Sequence, residues 1–200
     1  MKTLLHPTRT VALVFALAIL VGTGLLMLPQ AQAEGVSAPW LTAFFTAVSA
    51  VCVTGLVVVD TGTYWSPLGQ GLVMALFQLG GFGMMTSATL MGLLIGGHMK
   101  LRTRLLLQSE THALSLGDVR SVARMVLVVT VLVEGVVALW LAARFAMTMG
   151  LGWREALWQG AFHAVSAYNN AGFSTWPDSE MRHVTDGWVL APLMLAIVVG

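Results

Sequence analysis

Two eleven-residue segments carry the residue types that could do chemistry. Phe45 to Gly55 reads FTAVSAVCVTG and Phe162 to Gly172 reads FHAVSAYNNAG, at a constant offset of 117 and with six of eleven positions identical. The shared positions are Phe45/Phe162, Ala47/Ala164, Val48/Val165, Ser49/Ser166, Ala50/Ala167 and Gly55/Gly172. Each copy reads as a short apolar helix that gives way at a glycine. Such a pattern offers ion coordination rather than covalent chemistry. A short helix points its negative C-terminal end at a site, and chain returning in extended form presents backbone carbonyls that replace the water around a cation. Glycine is expected where the carbonyls turn to an axis, because it reaches φ/ψ values closed to other residues. The carbonyls expected to line such a filter are those of Val51, Cys52, Val53, Thr54 and Gly55, and of Tyr168, Asn169, Asn170, Ala171 and Gly172. Either segment alone is a weak signal. Two in register, each set between apolar spans, are a strong one.

The elements that must position these segments follow from the apolar runs. Of the 200 residues 57% are hydrophobic and 10% are charged, against about a quarter charged in an average soluble domain. Lipid must be the solvent for much of this surface. Val11 to Leu28 is eighteen apolar or small residues stopped by Pro29. Trp40 to Val59 is twenty residues without a charge, and Leu68 to Gly97 thirty. Met125 to Ala143 is nineteen, interrupted only by Glu134. Trp158 to Phe173 is a weaker stretch. The final run, Trp188 to Gly200, has thirteen residues, roughly 20 Å of helix against a ~30 Å hydrocarbon core. The expectation is a chain cut off inside a transmembrane helix. The first run has a rival reading as a signal peptide, since Lys2 and Arg9 precede it and Ala31-Gln32-Ala33 has the A-x-A form.

Charge sets the expected topology. Lys2, Arg9, Lys100, Arg102, Arg104, Arg120 and Arg124 are seven of the ten basic residues. They share one side only if Trp40 to Val59 enters and leaves the membrane by the same face. Cytoplasmic loops collect Lys and Arg, so the amino terminus is expected inside and Trp40 to Val59 to be re-entrant, a short helix followed by extended backbone. Such backbone is tolerated at membrane depth where it is buried in protein or lines water. Glu34, Asp60, Glu155, Asp178, Glu180 and Asp186 then lie outside, against Arg144, Arg154 and Arg182. An acidic rim raises local cation concentration, and Asp60 and Asp178 are the candidates for an outer vestibule. The expected fold is an all-α membrane protein built of outer helix, re-entrant pore loop and inner helix, used twice: residues 1–98, a cytoplasmic connection over 99–124, and a second unit over 125–200.

Several classes are disfavoured. No HExxH, GxxxxGK[ST], GxSxG or GxGxxG pattern occurs, so no active site is visible and no enzyme is expected. A net charge of +1 argues against a nucleic-acid partner. The one cysteine, Cys52, excludes an intramolecular disulfide and reads as a small buried hydrophobe.

At this point the residues resemble a family. Ala50-Val51-Cys52-Val53-Thr54-Gly55-Leu56 with Val59-Asp60-Thr61-Gly62-Thr63-Tyr64-Trp65 is similar to the first pore loop of the Trk/Ktr/HKT superfamily of K⁺ transporters. Gln78-Leu79-Gly80-Gly81-Phe82-Gly83 resembles its glycine-rich inner helix. Ser166-Ala167-Tyr168-Asn169-Asn170-Ala171-Gly172-Phe173-Ser174, continued by Pro177-Asp178-Ser179, resembles its second pore loop. The likeness is greatest to the Ktr membrane subunit, the Trk subunits generally carrying further helices before the first repeat. The resemblance implies four such repeats around one pore, one filter glycine each, of which Gly55 and Gly172 match the first two. It implies K⁺ as the transported ion, held by filter carbonyls only; glycine rather than serine at position 55 favours K⁺ over Na⁺. No covalently bound cofactor is expected, and Na⁺ is the candidate coupling ion. The expected surroundings are the lipid of the plasma membrane, crossed several times, with a homodimeric state and a cytoplasmic nucleotide-binding regulatory subunit as expectations from the resemblance alone.

The remaining residues divide between packing and function. Glu134, mid-span on an outer helix, reads as a hydrogen-bonded structural acid away from the pore, the rival being ion handling. His163, where the first copy has Thr46, reads as a packing histidine. Asn169 and Asn170 are expected to brace the filter with their side chains. Gly80, Gly81 and Gly83 fit either close helix packing or a flexible inner segment. Leu101 to Arg124 reads as a connection at the membrane surface or a solvated linker. Two alternatives to a four-repeat transporter stay open. A self-standing two-repeat cation channel requires a complete last helix, and a membrane-embedded enzyme or assembly protein requires clustered polar residues within the spans.

Overall fold

The apolar runs become helices whose ends are fixed by proline, capping side chains and the two glycine segments. The computed structural model describes residues 7–96, 116–177 and 186–200. These hold seven helices: α1 (Pro7–Leu26), α2 (Trp40–Val51), α3 (Thr61–Tyr64), α4 (Pro67–Gly96), α5 (Leu116–Met149), α6 (Trp153–Tyr168) and α7 (Gly187–Val199). Among the described residues the extended pairing is limited to an isolated bridge between Gln32 and Trp65. Lys2, Lys100, Arg102, Arg104, Asp178, Glu180 and Arg182, all used in the charge argument, lie outside the described residues.

α1 stops ahead of Pro29. Leu28 is extended (φ −64°, ψ 138°), as a residue before proline prefers. The Ala31-Gln32-Ala33 segment is built into the fold. Ala31 and Gln32 are buried, the Ala31 carbonyl accepts from the Ser66 N–H at 2.9 Å, and the Ala33 N–H donates to Tyr64 at 2.9 Å. α3 is capped by Asp60, whose Oδ1 accepts from the Thr63 N–H and hydroxyl, both at 2.8 Å. α4 opens on Pro67, a favourable first helical residue, and the Ser66 hydroxyl takes the Gly69 N–H at 3.2 Å.

α5 is longer than the apolar run implied. Leu116 to Arg124, assigned from the sequence to the connection, is its first part. Its Arg124–Met149 portion is the one helix among the described residues long and apolar enough, by length and composition, to cross a membrane; Ala12–Leu26, Trp40–Val51 and Gly187–Val199 are shorter apolar helices. α7 contains Pro192, which has no N–H to give the carbonyl of Trp188. That carbonyl accepts instead from the Trp140 indole Nε1 of α5, at 3.0 Å. Asp186 caps α7 by accepting from the Trp188 N–H at 3.0 Å. It also pairs with Arg144 of α5 at 3.1 Å, whose hydrogen bond holds the Asp186 carboxyl below its ordinary range.

Two apolar cores result. One gathers Leu26, Ala43, Ala47, Val51, Val73 and Phe77 from α1, α2 and α4. The other gathers Leu141, Phe145, Ala164, Trp176, Val189 and Leu193 from α5, α6, α7 and the loop between α6 and α7. The first core also takes in Phe162 of α6 and Phe173 of the following loop; Phe77 of α4 packs edge-on against Phe162 (5.7 Å) and stacks on Phe173 (5.8 Å). Outside these cores the helices turn apolar stripes outward. Leu13, Val14, Leu17, Leu20 and Val21 are exposed along α1, and Val128, Val131, Leu132, Val136 and Leu139 along α5. The spacing is that of one helix face. Soluble proteins rarely expose apolar patches on this scale, and the surface is suited to lipid.

Candidate functional site

The two eleven-residue segments end in loops of the same backbone shape. α2 ends at Val51 and α6 at Tyr168. The next residues cap the helices in nearly identical conformations, Cys52 at φ −83°, ψ −2° and Asn169 at φ −81°, ψ 0°. One residue further, Val53 and Asn170 are left-handed at φ 54° and 56°; two further still, Gly55 and Gly172 are left-handed at 68° and 71°. Positive φ at a β-branched residue such as Val53 is a genuine outlier. The hydrogen bonds also correspond. Cys52 and Asn169 N–H donate to Val48 and Val165, Val53 and Asn170 to Ala50 and Ala167, and Thr54 and Ala171 to Ser49 and Ser166, all at 2.8 to 3.1 Å.

The loops lie against one another. A Cβ placed on Gly55 would sit 2.6 Å from the Ala171 carbonyl oxygen and 3.1 Å from the Gly172 Cα. A Cβ on Gly172 would meet only the Gly55 Cα, at 3.4 Å. Of the ten filter candidates, Val51, Tyr168, Asn169 and Ala171 are buried, whereas Cys52, Thr54, Asn170 and Gly172 are exposed. Cys52 is therefore not the buried hydrophobe its apolar surroundings suggested; it follows the last turn of α2, beyond the buried face formed by Ala47, Ala50 and Val51.

Glycines of α4 and at the end of α7 lie against both loop roots. A Cβ on Gly80 of α4 would overlap the Val51 carbonyl, and one on Gly200 would overlap the Tyr168 carbonyl. Val51 and Tyr168 are 117 residues apart, and Gly80 and Gly200 are 120 apart. Gly81 gives room to the Asn169 carboxamide, and Gly83 lies against Phe15. All three glycines of the α4 cluster are thus at close packing contacts.

The side chains holding the loops differ between copies. In the first, the Ser49 and Thr54 hydroxyls are 3.0 Å apart. In the second, the Ser166 hydroxyl donates to the Phe173 carbonyl at 2.6 Å. Asn169 Nδ2 is surrounded by three acceptors: Gln78 Oε1 at 2.6 Å, the Val165 carbonyl at 2.8 Å and Glu134 Oε1 at 3.2 Å. Gln78 Nε2 donates to Glu134 Oε2 at 3.3 Å. Asn169 thus ties the root of the second loop to α4 and α5. The exposed Asn170 reaches the Ile197 carbonyl at 3.4 Å. Glu134 is hydrogen-bonded as expected, but it is not remote from the loops. Gln78 is not legible in the sequence as the link, because its two partners lie 56 and 91 residues away.

His163 packs on Trp176 with stacked rings 5.8 Å apart. Its Nδ1 is 2.7 Å from the Gln159 carbonyl. A carbonyl only accepts, so Nδ1 carries the proton and Nε2 accepts from Ser174 (3.1 Å) and the Thr175 N–H (3.4 Å). This is the packing role read from the sequence. A recess of about 210 Å³ runs beside the second loop, between Ser166, Asn170, Gly172 and Leu193. Asp60, the described vestibule candidate, spends one oxygen on capping α3, and Gly62 of that helix abuts the Thr175 carbonyl.

Comparison with known proteins gives a family match over residues 6–200, to TrkH, cation transport protein. The chain is 39% identical over 194 residues to Ktr system potassium uptake protein B of Bacillus subtilis (strain 168), covering 97% of this chain and 43% of that protein. It is 32% identical over 196 residues to the potassium/sodium uptake protein NtpJ of Enterococcus hirae, covering 98% and 43%. Against Ktr system potassium uptake protein B of Vibrio alginolyticus it is 33% identical over 192 residues, covering 96% and 41%. The chain spans less than half the length of these curated relatives.

Proposed function

Because the chain belongs to the TrkH family of cation transport proteins, we propose that it forms the first two of four repeats in the K⁺-translocating membrane subunit of a K⁺ uptake system. The units are residues 1–98 and 125–200, joined through 99–124. The observation that carries the reading is the pair of matching left-handed loops, Val53/Asn170 and Gly55/Gly172, lying side by side. In an ordinary strand successive residues alternate sides. Left-handed residues at the first and third of three positions break that alternation, so successive carbonyls turn toward one axis. α2 and α6 direct their negative ends at the same place. Dehydrated K⁺ is then held by the backbone of Val51 to Gly55 and of Tyr168 to Gly172, with two further loops completing the ring. Asp60 and Asp178 belong to the outer vestibule. Covalent chemistry is absent from this mechanism, and the relatives are named as transporters. A second copy, a cytoplasmic nucleotide-binding regulatory subunit and Na⁺ as coupling ion follow from the family resemblance.

Expression in a strain deficient in K⁺ uptake tests the proposal. The complete transporter carrying these residues should restore growth at low K⁺ and take up Rb⁺. Residues 1–200 alone should do neither, because half a ring of carbonyls coordinates the ion incompletely. Growth supported by residues 1–200 alone would favour the self-standing two-repeat channel.

The proposed topology has its own test. On a Cys52→Ser background, which removes an exposed thiol, Tyr64→Cys should react with an impermeant reagent from outside and Arg102→Cys only from inside. Reaction of both from the same side would exclude a re-entrant Trp40 to Val59.

A further inference from the structure

Glu134 is a buried acid inside the apolar Arg124–Met149 portion of α5, and the ion path proposed above does not use it. A carboxyl at such a position is unfavourable unless its oxygens are satisfied. A well-packed apolar residue of similar size is often as good for stability or better, so packing alone gives no reason for an acid here. Its surroundings give one. The two carboxyl oxygens accept from two carboxamides on different elements, Gln78 of α4 and Asn169 at the root of the second loop. Asn169 closes the ring by donating to Gln78. Three elements of two repeats are thereby joined at the residue where the chain leaves α6 to enter its left-handed turn.

The first loop is held differently. At the same 117-residue offset, Asn169 corresponds to Cys52 and Glu134 to Leu17, and both are exposed. The two loops share a backbone shape, yet the Glu134 cluster backs only the second. Gly81 adds an independent sign that Asn169 is meant to be fixed: α4 has no side chain there, and the Asn169 carboxamide fills the space.

We propose that Glu134 is a positioning residue for ion selection: through its hydrogen bonds to Asn169 and Gln78 it sets the shape of the second filter loop and thereby the preference for K⁺ over Na⁺. The proposal rests on the transport reading above. In a filter, a carbonyl ring displaced by a fraction of an ångström changes the competition between ions of different size, while the fold around it persists.

The test measures Rb⁺ and Na⁺ uptake by the complete transporter, normalised to transporter in the membrane. Glu134→Gln turns an acceptor into an N–H₂ that faces the N–H₂ of Asn169 or Gln78. It should lower the Rb⁺/Na⁺ ratio about tenfold, the change that a modest difference in binding free energy produces. The exchange Glu134→Gln with Gln78→Glu keeps one carboxylate and two carboxamides in the cluster and should recover much of the ratio. A structural role alone would change the amount of protein and leave the ratio fixed, and that result in Glu134→Gln overturns the proposal. If Glu134→Gln does not reach the membrane, Gln78→Ala removes one link of the ring and is read in the same way, an unchanged ratio again overturning it. A native transporter that takes up no Rb⁺ refutes the transport reading and the proposal together. A native transporter that takes it up, with variants of unaltered ratio, refutes the role of Glu134 alone.

Discussion

Gly55→Ser in the complete transporter should lower the Rb⁺/Na⁺ uptake ratio about tenfold, at a membrane level near that of the native protein. Two effects coincide at this residue. Gly55 is left-handed at φ 68°, where a side chain costs on the order of 1–2 kcal/mol. A Cβ there would also press on the Ala171 carbonyl oxygen, at 2.6 Å, and on the Gly172 Cα, at 3.1 Å. The first effect reshapes the first loop, and the second pushes a carbonyl of the other. About 1.4 kcal/mol of differential binding is tenfold in selectivity, so the strain is of sufficient size. Gly172→Ser is the informative comparison. It carries the same left-handed strain (φ 71°), but its Cβ makes only an ordinary 3.4 Å contact with Gly55, and its effect should be smaller. Cys52→Ala should matter least, since alanine keeps the backbone carbonyl and the side chain is exposed. A ratio unchanged in Gly55→Ser, with less protein in the membrane, would make the glycine a folding requirement and remove it from ion selection.

Gly80→Val should abolish uptake by depleting folded protein. The added Cβ would overlap the Val51 carbonyl oxygen and lie 2.9 Å from its carbon and 3.0 Å from Val53 Cγ2. Val51 is 1% exposed and ends α2, so the obstacle is backbone held by a packed core rather than a side chain free to swing aside. α4 must then withdraw from the root of the first loop. Overpacking of this kind costs typically 1–3 kcal/mol, sometimes more, and here it falls where the loop departs from its helix. Gly71→Ala on the same helix is the control, because its Cβ would meet only Trp158, at 3.5 Å. Thermal unfolding of the detergent-extracted transporter, followed by fluorescence-detected size exclusion, separates the two. Equal stability and uptake for native protein and Gly80→Val would mean that α4 does not support the loop.

The parts legible in the sequence were those with a local cause. Apolar runs locate α1, α4 and α5, and Pro29 marks a boundary that proline stereochemistry enforces. The two glycine segments could be found because they share six residues in eleven. The left-handed pair Val53 and Asn170 could not. Nothing about a β-branched valine announces positive φ, and the pair is unlike in type, so the conformation comes from how the loop is held. The Gly200 contact was hidden because the spacing between the copies changes from 117 to 120 along the second half. That Glu134 lies beside the second loop is not legible in the sequence, because an apolar helix does not declare which face meets which neighbour. Its partners, Gln78 and Asn169, become visible only once α4, α5 and α6 are packed.

The indole of Trp140 bears on the order in which the chain is made. Pro192 leaves the Trp188 carbonyl without its helical donor, and a backbone carbonyl without a partner at the edge of the lipid is unfavourable. α7 arriving alone in lipid would carry that burden. The donor that relieves it belongs to α5, more than forty residues nearer the amino terminus, and a chain emerging from the ribosome presents α5 first. Arg144, waiting on the same helix for Asp186, follows the same order. The early helix thus serves as the receptor for the late one, and the sequence of synthesis supplies each acceptor with a partner already in place.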